Sequence, residues 1–301
     1  MLSIDDFIPV TLETKKDFDQ VYSKYPPVHS DYVFTTLVSW SDYAHYSYVL
    51  VDDAIIIKTC IDDMVYFRPP LGKYSKETFD ELIKLAKKEG SGRPLTMITE
   101  GVKQWIEKEY PISSFHPHPE FADYVYKSSD LANLEGSKYR KIRNRLNKFK
   151  KHFDYQVLTV SLENMDEVKR FLKRWCIWRE CEDDPLLSYE KNAVMYSMNN
   201  IEELGLSGIA IRVNDHIEAI SIFEQMNKET VVVHFEKGSP YYDGIYKAVN
   251  METARIVQKD ALYINRESDM GNPGLRKAKE SYRPDHMIPV YHLEKEDIYS
   301  N

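Results

Sequence analysis

Segment 231–250, VVVHFEKGSPYYDGIYKAVN, contains the residue types best suited to acid–base chemistry at the end of a strand. The β-branched run at its start is typical of a central, buried strand. His234 and Glu236 alternate with Phe235, so both side chains are expected to project from one face where the strand ends. An imidazole and a carboxylate at this position can each accept a proton from a bound group. The segment is therefore the first candidate for a catalytic site.

The loop that follows this strand has the composition of a phosphate-binding loop. Gly238, Ser239 and Gly244, together with a proline, make it irregular and are expected to leave backbone N–H groups unpaired. A helix that begins near Gly244 would direct the positive end of its dipole at the loop. Lys237 precedes the loop and adds a cation. The P-loop pattern GxxxxGK[ST] is absent, so an ordinary strand-to-helix connection is the alternative.

A second cluster of charged residues lies in segment 263–281, YINRESDMGNPGLRKAKES, after the strand expected at its start. Arg266, Glu267 and Asp269 come at the end of that strand, where side chains of α/β folds commonly face a ligand crevice. The turn beyond them leads into a short helix that carries three basic residues, Arg276, Lys277 and Lys279. The alternative is a capping network in which Asp269 accepts N–H bonds and Arg266 pairs with Glu267.

Stretch 136–151, GSKYRKIRNRLNKFKK, reads as a basic helix inside an acidic chain. It has no acidic residue, whereas the whole chain carries a net charge of −8 at pH 7. Ser137 is in position to cap the first turn of the helix. The apolar residues recur at helical spacing and form one narrow stripe, Tyr139, Ile142, Leu146 and Phe149. We expect this stripe to dock against the rest of the protein.

The charge of this helix favours a local contact with phosphate groups. A general nucleic-acid binder carries positive charge over a whole domain, but the pI here is about 5.7. A solvated face and internal ion pairs are the alternative interpretations. The side chains expected to contact phosphate include three from the second charged cluster, and the full set is Arg140, Arg143, Arg145, Lys148, Arg266, Arg276 and Lys277.

The elements that would position these residues occur twice. In each half, three β-rich runs with hairpin turns are followed by a loop, an amphipathic helix and a further strand. The first copy is predicted at 46–51, 54–59, 64–67, 75–89 and 94–99. The second copy is predicted at 207–213, 217–225, 230–236, 245–259 and 262–266. The pattern suggests a duplicated α/β unit, although the residue identities do not repeat.

Composition limits the class of protein. A chain of 301 residues with 43% hydrophobic and 29% charged residues is expected to form about two globular domains. The N-terminus lacks the pattern of a secretory signal, and no apolar run is long enough to predict a membrane span. Three cysteines without zinc-type spacing are expected to be reduced thiols in a cytoplasmic protein, and no metal is expected.

The segments quoted above resemble a known group. LEGSKYRKIRNRLNKFKK, VVVHFEKGSPYYDGIYKAVNMETA and YINRESDMGNPGLRKAKESYRP together resemble the soluble, DUF2156-like family related to the C-terminal domain of phosphatidylglycerol lysyltransferases. The runs WSDYAHYSYVLVDDAIIIK and FRPPLGKY are similar as well, so the resemblance covers about Tyr32 to Pro284. It implies two tandem domains of the GNAT (acyl-CoA N-acyltransferase) fold, an α+β/α/β architecture with mixed, mostly antiparallel sheets. Fem-type aminoacyl transferases have the same arrangement.

On this resemblance we expect one GNAT-like domain at 1–130, a basic connecting helix at 131–154, and a second domain at 155–301 that holds the donor site. In the GNAT fold the acyl donor lies at the strand-to-helix junction of the splayed central strand, which corresponds to 231–244 here. Loop amides from Lys237 to Asp243 would then hold a pyrophosphate or the 3′-terminal phosphate of a tRNA. The loop lacks the acetyl-CoA signature Arg/Gln-x-x-Gly-x-Gly/Ala.

The leading hypothesis is an acyl or aminoacyl transferase that moves an activated acyl group to an amine or hydroxyl acceptor. Glu236 or His234 would be the base, and Tyr241 or Tyr242 would be the acid for the leaving group. With aminoacyl-tRNA as donor, the basic helix would hold acceptor-stem phosphates. The acceptor would be a small molecule, a lipid head-group or a peptide.

Two other functions stay open. In a CoA-dependent N-acyltransferase, Lys237 and the loop would bind pyrophosphate, and the basic helix would only bridge the domains. In a non-catalytic binding module, the fold would persist without a working donor site.

Overall fold

The computed structural model describes residues 2–111 and 114–297. Its helices are α1 Lys15–Tyr22, α2 Phe34–Ser39, α3 Ser41–Ala44, α4 Lys76–Glu89, α5 Glu100–Glu109, α6 Ser128–Asn133, α7 Arg140–His152, α8 Met165–Trp178, α9 Pro185–Asn199, α10 Ile201–Leu204, α11 Ile245–Val257 and α12 Pro273–Glu280. Among the described residues, no helix has the length and apolar content needed to cross a membrane.

The strands, in chain order, are β1 Ile8–Pro9, β2 Ser47–Val51, β3 Ala54–Ile61, β4 Met64–Phe67, β5 Leu71–Gly72, β6 Leu95–Thr99, β7 His116–Pro117, β8 Asp123–Lys127, β9 Tyr155–Thr159, β10 Ser207–Val213, β11 His216–Gln225, β12 Thr230–Gly238, β13 Tyr263–Asn265, β14 His286–Ile288 and β15 Val290–Leu293. Both predicted copies of meander, loop, helix and strand are present within a few residues of their expected bounds.

The chain divides into two compact units, Met1–Asp123 with Ile288–Asn301, and Tyr124–Met287. The sheet of the first unit has the strand order β1-β2-β3-β4-β6-β15-β7 in the described residues, with β5 paired to β3. The meander β2-β3-β4 is antiparallel, and β4 then pairs in parallel with β6. Helices α4 and α5 follow the meander and bury their apolar faces in one core with this sheet.

The second sheet has the order β14-β8-β13-β12-β11-β10-β9. Its meander β10-β11-β12 is antiparallel, and β12 pairs in parallel with β13 after the crossover helix α11. Both sheets are therefore mixed and mostly antiparallel, as predicted.

The hairpin turns form because their residues tolerate left-handed backbone. Asp62 and Asp63 have φ of 49° and 61°, and Asn214 and Asp215 have φ of 49° and 63°. Two successive residues with positive φ make the tight turn whose twist matches antiparallel strands, and Asp and Asn adopt it more readily than most residues. These turns join β3 to β4 and β10 to β11, and they fix the register of those two antiparallel pairs.

The boundaries of the units differ from the predicted ranges 1–130, 131–154 and 155–301. The division falls at Asp123 because the residues of β8 beyond it pair with β13 in the second sheet. The C-terminal strand β15 pairs with β6 and β7 in the first sheet, so the end of the chain returns to the first unit. These long-range pairings leave no local pattern in the sequence.

The basic helix α7 is part of the second unit rather than a separate connector. Its apolar stripe, Tyr139, Ile142, Leu146 and Phe149, is buried in the core of that unit, which confirms the predicted docking. Burial of side chains of this size contributes about 1.5–3 kcal/mol each. Ser137 does not cap the helix as expected, because residues 137–139 form a 3₁₀ turn and α7 begins without a side-chain cap.

The cysteines also differ from expectation. Cys176 and Cys181 form a disulfide with their Cα atoms 5.2 Å apart, whereas all three cysteines were expected to be reduced. The chain turns at the end of α8, where the backbone N–H of Cys181 donates to the carbonyl of Cys176. Cys60 is a free thiol.

Candidate active site

The candidate site is built around the point where β12 and β13 stop pairing. Their parallel register runs from Thr230 opposite Tyr263 to Val232 opposite Asn265. β12 then continues to Gly238, and no described residue pairs with it on that side. Beyond Val232 the two segments are linked by side chains, not by a ladder of backbone hydrogen bonds.

A β-bulge lies at the same point. Ile222 of β11 is opposite Phe235, but the next residue, Phe223, is opposite Val233, so His234 is the extra residue on β12. Bulges bend a strand and redirect its side chains, and they are common beside active sites. The alternation of His234 and Glu236 did not reveal this bulge.

Glu236 and Arg266 form the central ion pair of the site. Arg266 Nη2 lies 2.8 Å from Glu236 Oε1, and both side chains are nearly buried. The guanidinium also lies over the rings of Tyr126 and Tyr282, at 5.9 and 5.1 Å from their centroids. Asn250 of α11 donates to the second carboxylate oxygen of Glu236 at 3.3 Å. Two residues 30 positions apart in sequence, both predicted as site residues, are thus brought together.

His234 is held between two carboxylates. Its Nδ1 lies 2.9 Å from Glu267 and its Nε2 lies 2.8 Å from Glu224. Burial by itself would lower the pKa of His234, but the hydrogen bonds and charges of the two glutamates outweigh burial and raise the pKa to about 9. His234 is therefore an imidazolium at neutral pH with both nitrogens engaged, which argues against its predicted role as a general base.

Asp269 organises the turn after β13. It accepts hydrogen bonds from Arg276 at 2.8 and 3.0 Å, from the hydroxyl of Tyr124 at 2.7 Å and from the N–H of Gly271 at 2.9 Å. Arg276, predicted to contact phosphate, is instead bonded through two nitrogens to this buried carboxylate. Asp269 accepts the N–H of Gly271 in the turn, but the side chain that caps α12 is that of Asn272, which accepts from the N–H groups of Gly274 and Leu275. Arg266 pairs with Glu236 and not with Glu267 as the capping network had it.

Three polar residues beside the central ion pair were not predicted. The ammonium of Lys247 lies 4.5 Å from the ring centroid of Tyr282. Burial lowers the pKa of Lys247 to about 8, the charge of Arg266 acts in the same direction, and Glu236 opposes it. Asn250 and Tyr282 complete the group. The only sequence signal for Lys247 was its place one turn after Gly244.

The loop between β12 and α11 keeps several backbone donors available. The N–H of Ser239 donates to the carbonyl of Glu218 at 2.8 Å. Among the described residues, nothing accepts a hydrogen bond from the N–H groups of Tyr242, Asp243 or Gly244. These amides lie where α11 begins, and the helix has no side-chain cap there. The loop was predicted to leave backbone N–H groups unpaired, and the structure assigns this to residues 242–244.

The glycines of this loop allow close packing. Gly244 has φ of +100°, and a Cβ at this residue would lie 2.8 Å from the carbonyl oxygen of Arg145 and 2.9 Å from Cβ of Phe149. Gly238 lies against Ile245, where a Cβ would approach to 3.1 Å. Gly244 therefore brings the start of α11 directly against α7.

Lys237 is directed away from the other predicted site residues. Its ammonium pairs with Glu190 and lies 4.3 Å from the ring centroid of Trp175. Successive residues of a strand project to opposite faces, so Lys237 packs under α8 and α9 while Glu236 contacts α11. This neutralised, buried lysine does not lie with the free loop amides as the pyrophosphate role required.

The two loop tyrosines differ in their surroundings. Tyr241 is 72% exposed and its ring meets Trp178 edge to face. Tyr242 is partly buried against the core of the second unit, with its ring centroid 4.9 Å from that of Phe153. No hydrogen bond joins either hydroxyl to the described part of the site, so their predicted role as acids remains a prediction.

The cations of α7 have unequal surroundings. Arg143 donates to the carbonyls of Leu134 and Gly136 and so closes the C-terminal end of α6, which leaves its guanidinium largely occupied. Arg145 and Lys148 are exposed, and both approach the carboxylate of Asp243, at 3.3 and 3.4 Å.

Arg145 and Lys148 therefore lie beside the loop with the free amides. Arg140 and Lys277, which were also predicted to contact phosphate, are exposed and make no ion pair with any described residue. Of the predicted phosphate-binding cations, Arg145 and Lys148 are thus the pair that the fold places next to the candidate loop.

The chain is similar to several known proteins. A family model described as phosphatidylglycerol lysyltransferase, C-terminal, matches residues 22–294. A conserved protein of unknown function from Bacteroides thetaiotaomicron is 30% identical, with a TM-score of 0.87 over 95% of this chain and 98% of that one.

Two solved structures of lower identity show the fold. L-PGS from Bacillus licheniformis is 12% identical, with a TM-score of 0.62 over 93% of this chain and 91% of its own. FemX is 10% identical, with a TM-score of 0.53 over 93% and 96% of the two chains. With the two mixed sheets, these matches confirm the tandem GNAT-like architecture. The chain belongs to the family of phosphatidylglycerol lysyltransferase C-terminal domains.

Proposed function

We propose that the chain transfers an aminoacyl group from aminoacyl-tRNA to an amine or hydroxyl acceptor. The observation that carries this proposal is the parting of β12 and β13 beyond Val232, lined by the Glu236–Arg266 pair, in a member of a lysyltransferase family. The name of that family makes lysyl-tRNA the first donor to test and phosphatidylglycerol the first acceptor.

The reaction needs few groups from the protein. The acceptor nitrogen or oxygen attacks the ester carbonyl carbon, a new C–N or C–O bond forms, and the bond to the ribose oxygen breaks. One proton leaves the acceptor and one reaches the ribose hydroxyl. The carboxylate of Glu236 is the group that takes the acceptor's proton, since His234 already carries its own.

The surroundings of Glu236 support this role. Arg266 and Asn250 hold the carboxylate at fixed distances, so it does not have to be ordered during the reaction. The imidazolium of His234 in turn fixes Glu267 and Glu224 across the parted strands. His234 is thus a positioning residue in this proposal.

The donor's phosphates would be held beside the loop. The free amides of Tyr242, Asp243 and Gly244 offer neutral donors, and Arg145 and Lys148 offer charge. Contacts of this kind predict binding of tRNA that weakens as salt rises.

The test measures loss of ester-linked label from radiolabelled lysyl-tRNA, with and without phosphatidylglycerol or a small amine. The chain should release label faster than spontaneous hydrolysis, and Glu236→Gln should reduce the rate at least 100-fold. Glu229→Gln, at an exposed turn, is the matched control and should behave as the wild type.

The other two functions would give different results. Stabilisation against heat by CoA but not by aminoacylated tRNA would select a CoA-dependent N-acyltransferase. If neither CoA nor aminoacylated tRNA stabilises the protein against heat, a non-catalytic binding module is selected. Either result would contradict the proposal.

A further inference from the structure

Lys247 is a lysine in the second unit whose charge is not used within the described protein. Its ammonium lies over the face of Tyr282 at 4.5 Å from the ring centroid, and no carboxylate of the described residues comes within 4 Å of it. Its carboxylate neighbour, Glu236, is already paired with Arg266. A part-buried cation without an anionic partner is costly, and an oxygen-bearing ligand would compensate it.

Two further polar groups in the same cluster lack partners. The Oδ1 atom of Asn250 is buried and accepts no hydrogen bond, although the amide nitrogen of the same side chain donates to Glu236. The hydroxyl of Tyr282 is buried as well and makes no hydrogen bond, while its ring supports both Lys247 and Arg266. Both residues are more than nine-tenths buried. Buried polar groups are rarely left in this state, so each requires an explanation.

The three groups would be satisfied by a ligand with complementary hydrogen-bonding atoms. Lys247 and the Tyr282 hydroxyl are donors and need an oxygen, because an ammonium has no acceptor capacity and burial raises the pKa of the Tyr282 phenol. Asn250 Oδ1 is an acceptor and needs an N–H group. A simple acyl chain would satisfy only the donors, whereas an α-amino acyl ester presents a carbonyl oxygen and an amine on adjacent carbons.

We propose that Lys247, Tyr282 and Asn250 form the subsite for the reacting α-amino acyl group, with Lys247 and Tyr282 donating to its carbonyl oxygen and Asn250 accepting from its amine. The inference rests on the proposed function and adds residues that no sequence motif indicated. As the acceptor attacks, the carbonyl oxygen gains negative charge, and the ammonium of Lys247 stabilises it.

The charge of Lys247 gives the subsite a pH dependence. The titratable and charged groups around it are Glu236 on β12, Arg266 after β13, Tyr282 after α12 and Arg145 on α7. Its pKa of about 8 means that Lys247 is mostly an ammonium at pH 7 and mostly neutral at pH 9. An oxygen-binding role therefore requires binding to weaken above pH 8, whereas a role as a base would make activity rise over the same range.

The test uses a stable probe, 3′-lysylamino-3′-deoxyadenosine, and its counterpart in which hydrogen replaces the α-amino group. Binding of each is measured by calorimetry between pH 6.5 and 9. The wild type should prefer the amino probe at least tenfold and lose at least fivefold in affinity from pH 7 to 9. Lys247→Met should weaken binding at least tenfold and flatten the pH dependence.

Three variants separate the subsite from effects on folding. Lys247→Arg keeps the charge and should retain binding without the decline above pH 8. Asn250→Leu should abolish the preference for the amino probe. Lys259→Met, at an exposed residue just beyond α11, should match the wild type. Thermal unfolding of every variant verifies that it is folded.

The outcomes are distinct. If wild-type protein deacylates lysyl-tRNA but Lys247→Met binds the probe as tightly as the wild type, the subsite is wrong and the proposed function stands. If the wild type neither binds the probe nor deacylates lysyl-tRNA, both proposals fall together. Equal affinity for the two probes would overturn the role of Asn250.

Discussion

Each unit of the molecule contains a buried arginine between two tyrosine rings, and the two arginines have different surroundings. Arg68 follows β4 and lies over Tyr32 and Tyr46 at 5.4 and 5.0 Å, with Asp31 as its acidic neighbour. Arg266 follows β13 and has the same kind of support from Tyr126 and Tyr282, with Glu236 as partner.

The strand-to-helix junctions of the two units differ more sharply. In the first, two prolines follow Arg68 and offer no N–H, and the hydroxyl of Ser75 caps α4 by accepting from the N–H of Thr78. In the second, Gly244 begins α11 without a side-chain cap, and the N–H groups of residues 242–244 have no acceptor in the described chain.

This difference shows how one architecture can serve two purposes. The first junction has a side-chain cap at the start of its helix, supplied by Ser75. The second leaves donors, a lysine and buried polar atoms for something else to satisfy. We expect variants to separate the two junctions accordingly.

The largest change in the free energy of unfolding is expected when the buried arginines, Arg266 and Arg68, are replaced. Arg266→Met leaves the nearly buried carboxylate of Glu236 without its partner and should lower the free energy of unfolding by roughly 3–5 kcal/mol. Arg68→Met should cost less, because Asp31 is more exposed. Denaturant unfolding measures both losses. At a temperature where both variants are folded, only Arg266→Met should lose donor binding, and equal loss in Arg68→Met would remove the functional distinction.

Gly244 should give the next largest effect. Gly244→Ala combines a left-handed backbone with a Cβ 2.8 Å from the carbonyl of Arg145, and we expect it to cost roughly 2–4 kcal/mol. Gly136→Ala has φ of +81° but open space around its Cβ, so strain alone should cost about 1–2 kcal/mol. Thermal or denaturant unfolding compares them. Equal losses would mean that α7 does not pack tightly against the start of α11.

Two histidines should make the units respond oppositely to pH. His234 in the second unit has a pKa of about 9, against 6.5 when unfolded, so its stabilising effect is complete below pH 6.5 and is lost as pH rises to 9. His118 in the first unit is held neutral, because burial and the neighbouring His292 lower its pKa to about 4. Its contribution is complete above pH 6.5 and is lost as pH falls to 4.

Each histidine should account for about 1–3 kcal/mol over its range. Unfolding measured at pH 5, 7 and 9 tests this, with His234→Gln expected to reduce the loss on the alkaline side and His118→Gln the loss on the acidic side. A wild-type stability that is flat from pH 7 to 9 would contradict the imidazolium assigned to His234.

The smallest expected effect is a change in tRNA affinity caused by the charges on the surface of α7. Asp243→Asn removes the exposed carboxylate that Arg145 and Lys148 share, and it should strengthen tRNA binding by at most about 1 kcal/mol at low salt. Filter binding over a range of salt concentrations measures the change. Weaker binding in this variant would show that Asp243 itself contacts the donor.

Local patterns in the sequence predicted much of the fold. The hairpins at Asp62-Asp63 and Asn214-Asp215, the apolar stripe of α7 and the duplicated order of elements all depend on residues close together in the chain. The same patterns placed His234, Glu236 and Arg266 at strand ends, and the structure brings these three to the parted strands β12 and β13.

What the sequence did not reveal depends on contacts between distant residues. The bulge at His234 becomes visible only when the residues of β12 are aligned with their partners on β11. The hydrogen bonds from Arg143 to the carbonyls at the end of α6 depend on how α6 and α7 pack together. The sequence predicted Lys237 and Glu236 as residues of the same site. In the structure Lys237 lies on the opposite face of β12, where it contacts Trp175 of α8 and Glu190 of α9. The C-terminal strand β15 likewise found its partner almost 200 residues away, at β6.

Hydrogen exchange at the two junctions tests the central claim most directly. Amide exchange is measured with and without the 5′-phosphate of 3′-lysylamino-3′-deoxyadenosine, which supplies the phosphate that the loop amides are proposed to hold, at pH 7 and low salt. If the second junction holds the donor, the amides of residues 242–244 should exchange at least tenfold more slowly with the probe, and residues 71–75 of the first junction should be unchanged. Protection at residues 71–75 instead, or at neither junction with the probe bound, would contradict the account.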